Sequence, residues 1–428
     1  MITLRTLRSL FLGLTVAVTV LIAGCARTPE HGVEIHFWAL GAEGENVQQL
    51  VPEFERRNPG IHVRLHAIPW TAAHEKLLTA YAGHSMPDVF QLGNTWIPEF
   101  LILRAIEPLD TLVARSNVVR SDAYFAGIWE TNTHEGQLFG IPWYVDTRVL
   151  FYRTDIVERA GFSRPPRTWA EWDSLCRRIV ESGGPEEHFA MLLPTTEWAP
   201  PVILGMQTGS GLLKDQGCYG DFSGAQFQKA FTFYNNFFRR KYAPIGSTRV
   251  INLYQSFAEG YFAMYITGPW NIGEFRRRMP PELQDKWMTA PLPGPEEGAP
   301  GASLAGGSSL AIASSSRFKD AAWRLVEYLS EPAQQLAFYR LTGDLPSRRE
   351  VWSDTTFTNN PYARAFYVQL NTVMAPPKVP QWEQIAMKVQ DYAEIASRGT
   401  MSPRDALIAL DRDVNVILEK RRWMMHAH

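Results

Sequence analysis

Cysteine is scarce in this chain: three residues in 428, at positions 25, 176 and 218. That is too few for a disulfide framework, and no Cys/His spacing has the form of a metal-binding cluster. An excess of charge of one sign is also missing. The 42 basic residues nearly offset 44 acidic ones, for a net charge of −2. This balance implies neither a nucleic-acid partner nor a generally acidic surface. The uncharged run from Ser9 to Gly24 falls short of the about 20 apolar residues that a membrane-spanning helix needs. There is no internal repeat and no low-complexity tract. Gly-x-Ser-x-Gly and His-Glu-x-x-His are absent, and nothing signals a pair of carboxylates set across a glycosidic bond. These absences weigh against a secreted glycoside hydrolase, the rival enzyme reading, and imply no metal and no cofactor.

What is present begins at the N-terminus. Arg5 and Arg8 precede the uncharged run, which ends in Leu21-Ile22-Ala23-Gly24-Cys25. A basic start, an apolar stretch and small residues before a cut predict an export signal over 1–24. The last four residues resemble a bacterial lipobox, in which Cys25 carries the lipid and 25–32 forms a short tether to the membrane. An ordinary secretory peptide with an incidental Cys25 is the alternative. Either way the protein is expected outside the cytoplasm, in the periplasm or at the cell surface. The oxidising compartment permits a Cys176–Cys218 bond, but Cys176 falls on the apolar face of a predicted helix and Cys218 in a Gly-rich loop. Two free or buried thiols are expected. The 14 Trp, 15 Tyr and 23 Phe fit either a large aromatic core or aromatic surfaces facing a ligand.

About 400 residues remain after processing, room for two or three domains with their own cores. Val33 to Trp38 alternates as a strand, and Val47, Leu50, Val51 and Phe54 recur at helical spacing, with a kink expected at Pro52. Asn58-Pro59-Gly60 ends that helix before Ile61, Val63 and Leu65 alternate as a second strand, and Val89 to Leu92 reads as a third. Strands alternating with helices predict an α/β layer on a largely parallel sheet. Thr168-Trp-Ala-Glu171 has the form of a capping box, and Ser402-Pro403 opens a final helix with Leu407, Leu410, Val414 and Ile417 on one stripe. The Pro/Gly-dense stretch from Pro291 to Gly307 marks a crossover between lobes.

Seven stretches, in order, resemble the family-1 extracellular solute-binding proteins, the maltose-binding-protein-like group. They are Phe37-Trp38-Ala39 with the Glu43-Gly44-Glu45 loop; Pro87 to Trp96; Gly140 to Asp155; Pro166-Arg167-Thr168-Trp169; Phe257-Ala258-Glu259-Gly260 running to Gly268-Pro269-Trp270; Pro291 to Ile312; and Thr342 to Arg348. The resemblance implies a two-lobed α/β periplasmic-binding-protein fold of type II, with a mixed or parallel sheet in each lobe and a ligand cleft at the hinge. The expected lobes are 33–142 plus 302–340 and 143–301 plus 341–428. The implied function is capture of a sugar, a disaccharide or short oligosaccharide, for an ABC-type importer, by a monomer that partners membrane permease subunits.

Carried over residue by residue, the family pattern assigns the ligand Glu43, Asn94, Trp96, Tyr144, Asp146, Arg148, Glu197, Trp198, Trp270, Arg348 and Trp382. A saccharide needs amide and charged groups for its hydroxyls and aromatic faces for its C–H surfaces. Glu43 also reads as a helix cap and Arg148 as an ion pair of the hinge, while Trp143 reads as core. Trp270, after Gly-Pro, reads as an exposed stacking residue. Arginine in the cleft leaves an anionic ligand open, such as glycerol phosphate or a sugar acid. A lipid-anchored sensor on the same fold is a further alternative.

Overall fold

The computed structural model describes residues 32–183, 188–246, 252–299 and 301–426; the expected export segment, Cys25 and the rest of the expected tether through residue 31 lie outside them. Ten strands build two sheets. They are β1 (Val33–Leu40), β2 (Ile61–Ile68), β3 (Val89–Gly93), β4 (Ile141–Asp146), β5 (Val149–Arg153), β6 (Phe189–Leu192), β7 (Phe262–Thr267), β8 (Trp287–Ala290), β9 (Gly306–Ile312) and β10 (Leu345–Pro346). The first sheet has the order β10-β4-β9-β3-β1-β2 and the second β8-β5-β7-β6. β1 runs parallel to β2 and β3, as the strand–helix alternation implies. β9 enters the middle of that sheet antiparallel, because it arrives from the second sheet and not through a βαβ crossover.

The helices that matter for the site are α1 (Gly41–Val47), α2 (Val51–Arg57), α3 (Trp70–Ala82), α4 (Trp169–Ser182), α5 (Trp270–Arg278), α6 (Pro332–Thr342), α7 (Trp382–Ser397) and α8 (Pro403–Ile417). Pro52 does not kink a helix. It sits in the first turn of α2, where its missing N–H costs nothing, and α1 has already ended at Val47. The cap of α4 is Thr168, as the sequence predicts: its hydroxyl accepts from the Glu171 N–H at 3.2 Å, while the Glu171 carboxylate accepts from the N–H of Arg167, one residue before the cap, at 2.8 Å. Ser402 caps α8 in the same way, accepting from the Asp405 N–H.

Strand side chains alternate between the two faces of each sheet, so each sheet feeds two cores. Ile35, Phe37, Leu310 and Ile312 face one, and Phe90, Leu92 and Ala311 the other. In the second sheet Leu150, Tyr152 and Met264 pack with Trp172 and Trp382, while Val149, Phe151 and Tyr265 pack with Phe275 and Trp287. Every residue of β3, β5 and β7 is buried, the pattern of strands covered on both faces. Trp143 is core, with its ring stacked on Phe338. Cys176 and Cys218 are both buried and free.

Sheet membership moves two of the expected crossings. β4 holds to the first sheet past Pro142, because Val145 and Asp146 still pair with Gly307 and Gly306 of β9. The chain therefore leaves at Thr147-Arg148. It departs for the last time after Pro346 rather than at residue 341, since β10 pairs with β4. The middle return, from Ala290 to Gly306, falls on the Pro/Gly-dense stretch. Two crossings are tied together by Ser303, whose hydroxyl donates to the Arg148 carbonyl at 2.8 Å and accepts from the Arg148 N–H at 3.2 Å.

Candidate ligand-binding cleft

Strand C-termini from both sheets converge on one cavity of about 570 Å³, the end at which α/β sheets present their ligands. The segments after β1, β2 and β3 contribute Glu43, Trp70, Asn94, Thr95 and Trp96; the end of β4 and the crossing contribute Tyr144, Asp146 and Arg148. Trp198 and Trp270 come from the segments after β6 and β7, and Thr342, Asp344 and Glu383 complete the wall.

On the first-sheet side, one hydrogen-bonded chain fixes the polar groups. Gln91, fully buried in β3, accepts from the Leu40 N–H at 2.8 Å and donates to the Tyr144 hydroxyl at 3.3 Å. Tyr144 donates in turn to Glu43 at 2.7 Å, and the Trp70 indole N–H reaches the same carboxylate at 3.2 Å. Burial holds the Tyr144 hydroxyl well above its ordinary pKa, with the Glu43 charge adding to the effect, so it stays a donor. Asn94 spends both ends of its amide on β9: its Nδ2 donates to the Gly306 carbonyl and its Oδ1 accepts from Ser309. Gly307 makes this approach feasible. Its φ is +117°, and a Cβ there would meet the Tyr144 carbonyl oxygen at 2.3 Å. Trp96 packs edge-on against Trp70 and His74.

On the other side, Asp146 and Arg148 form an ion pair at 2.6 Å, and the guanidinium lies 4.6 Å from the Trp270 ring centroid. Arg148 Nε is buried without a hydrogen-bond partner among the described residues. Trp270 is 47% exposed and folds over Gly268, where a Cβ would meet the indole at 2.0 Å. Burial raises the pKa of Glu197, while Arg148 and the Tyr265 hydroxyl pull it back. Across the cavity, the Thr95 hydroxyl donates to Glu383 of α7, a direct bridge between the two sides.

The structure thus gathers Glu43, Asn94, Trp96, Tyr144, Asp146, Arg148, Trp198 and Trp270 around one space. Glu197 is not on the wall and acts on it through its charge on Arg148 and Asp146. Two assignments fall elsewhere. Arg348, 6% exposed, points away and donates to the Val118 and Ser330 carbonyls and to Glu350. Trp382 is completely buried in the core and meets Trp198 edge-on at 5.7 Å. Its neighbour Glu383 lines the cavity instead, since adjacent residues on a helix point about 100° apart. Sequence reasoning missed Trp70, which directly follows the C-terminal end of β2 and Pro69. It also passed over Asp344 inside a stretch it had singled out. Among the described residues no group of three or more His, Cys, Asp or Glu is placed to hold a metal ion. No helix among them is long and apolar enough to cross a membrane.

Comparison with known proteins agrees with this geometry. Residues 38–336 match the family model described as bacterial extracellular solute-binding protein. The sugar-binding protein MalE from the phytopathogen Xanthomonas citri is 46% identical, covers 92% of this chain and 100% of its own, and superposes with a TM-score of 0.89. The diacetylchitobiose binding protein DasA of Streptomyces coelicolor is 23% identical over 399 residues, 91% of either chain. A galactooligosaccharide-binding protein of Bacillus subtilis is 22% identical over 92% of this chain and 93% of its own. With two sheets feeding one cleft from their strand C-termini and a family match over most of the described residues, the chain belongs to the bacterial extracellular solute-binding protein family.

Proposed function

We propose that the cleft captures a neutral saccharide, a disaccharide or short oligosaccharide, for delivery to an ABC permease in the membrane. The observation that carries this reading is the composition of the wall. Four carboxylates (Glu43, Asp146, Asp344 and Glu383) and four indoles (Trp70, Trp96, Trp198 and Trp270) surround the cavity, with Arg148 as the one cation among the described lining residues. Carboxylates accept from sugar hydroxyls, and indole faces stack on sugar rings. An anionic ligand suits this wall poorly, because Arg148 is already neutralised by Asp146. A volume of about 570 Å³ lies within the range of small-molecule sites. The names of the relatives, sugar-binding and oligosaccharide-binding proteins, support the same class.

In this reading the crossings at Thr147-Arg148 and in 291–305 act as the hinge. The ligand stabilises the closed arrangement through contacts to both sides, and the permease senses closure. Cys25 carries the lipid that keeps the protein at the membrane, and the binder works as a monomer without catalysis. The test is calorimetric titration of the chain without its export segment against maltose, trehalose, sucrose, cellobiose, maltotriose, glycerol 3-phosphate and galacturonate. Micromolar binding of a neutral saccharide, weakened about 10- to 100-fold in Trp270→Ala, is the expected outcome. Binding of the two anions alone, or cleavage of a glycoside overnight, contradicts the reading.

A further inference from the structure

The four cavity carboxylates are not equivalent. Glu43 accepts from Tyr144 and Trp70, Asp146 is paired with Arg148, and Glu383 accepts from Thr95. Asp344 is answered only by the Thr342 hydroxyl, which it shares with the Phe338 carbonyl. It follows α6 at the αL residue Gly343, and its own N–H is committed to the Thr342 hydroxyl at 3.1 Å. That hydroxyl donates to the Phe338 carbonyl at 3.0 Å, so it serves the Asp344 carboxyl only in part.

The charged groups packed around Asp344 make matters worse for an ionised form. α1 contributes Glu43, with Glu45 exposed beyond it, and β4 contributes Asp146 and the neutral Tyr144 hydroxyl. The nearest cation of the cavity, Arg148, is held by Asp146. Arg340 of α6 is exposed, and Arg348 and Glu350 in the turn at 349–353 pair with each other. Glu43 and Asp146 are thus the charges that act on Asp344, and both are negative.

Resting on the saccharide reading of the cleft, we propose that Asp344 is a specificity-determining residue that meets the ligand as an uncharged carboxylic acid. It donates a hydrogen bond where the other cavity carboxylates only accept. A sugar hydroxyl both donates and accepts, and a wall of four ionised acids offers it acceptors in excess. A protonated Asp344 supplies the missing donor and removes one of three mutually repelling charges. Burial, then the Glu43 charge, pushes its pKa up to about 7, with Asp146 adding to the rise. Ligand capture therefore weakens as the medium becomes alkaline and the donor is lost. For a site that binds only the protonated form, the dissociation constant at pH 8 is roughly tenfold that at pH 6.

The experiment has two arms, both on the full chain without its export segment. In the free protein, the side-chain carboxyl ¹³C resonances are followed between pH 4 and 9 in the wild type and in Asp344→Asn. One aspartate signal titrating near pH 7 and missing from D344N is expected, and its absence overturns the proposal. In the second arm, maltotriose is titrated at pH 6, 7 and 8 into the wild type, D344N and Asp344→Ala. The wild type is expected to lose roughly tenfold in affinity from pH 6 to pH 8. D344N, whose amide is always a donor, should show a flat profile, and D344A should be weak throughout. A flat wild-type profile, or a D344N profile that falls in parallel with the wild type, overturns the proposal. Failure of maltotriose and every other panel saccharide to bind at any pH contradicts the sugar reading instead. The carboxyl titration then still decides whether Asp344 is a neutral acid.

Discussion

Trp270 and Trp382 carry the same side chain and are both assigned to the ligand, Trp270 alone by a motif, yet the fold separates them. Trp270 stands 47% exposed over the cavity and Trp382 is fully buried beneath Trp198. Trp382→Ala should cost about 3–5 kcal/mol of stability through the space it leaves, measured by urea denaturation. Arg348→Ala should likewise cost on the order of 3 kcal/mol, because it strands the Val118 and Ser330 carbonyls. A large loss of affinity without loss of stability in either variant contradicts these placements. Asp344 shows its effect on stability through pH. Its carboxyl is raised from 3.8 to about 7, so the folded chain holds a proton that the unfolded chain releases. The cost of this group is nil below pH 4, grows through pH 7 and is constant above. D344N should match the wild type near pH 4 and exceed it at pH 8 by up to about 4 kcal/mol, the full linkage of that rise. The Gly-Pro-Trp turn was legible because an aromatic after Gly-Pro reads as exposed. The depth of Arg348 and Trp382 was not, since it depends on which face of a late segment packs against elements more than 30 residues away, such as Val118 and Trp198.

At the scale of the element, capping chemistry and strand alternation were readable because they are local. Thr168 and Ser402 cap as their spacing says, and β1, β2 and β3 pair in parallel. Pro52 was misread because its effect depends on where the helix begins, and α1 ends before it. The antiparallel entry of β9 was not legible, since no local pattern tells a strand the direction from which it arrives. That entry shapes the site: β9 holds the amide of Asn94 and, through Gly306 and Gly307, lies against the end of β4. Gly307→Ala should lose about 1–3 kcal/mol from the positive φ and the clash with Tyr144, visible as a lower Tm. An unchanged Tm would show that β9 and β4 are free to separate.

The whole molecule brings together residues far apart in sequence, as in the Thr95–Glu383 bridge and the Ser303 link to Arg148. Motif order along the chain was enough to read the two-lobed plan and eight of the eleven assigned residues now found on one cavity wall. Trp70, Asp344 and Glu383 escaped because only the three-dimensional fold brings them to the cavity. The most direct test of capture between the two sides is hydrogen–deuterium exchange with and without a saturating saccharide from the panel. Residues 93–97 after β3 and 268–272 after β7 should both gain protection. Protection confined to one of these segments, or found only on the surface around 349–367, would contradict a ligand held between the lobes.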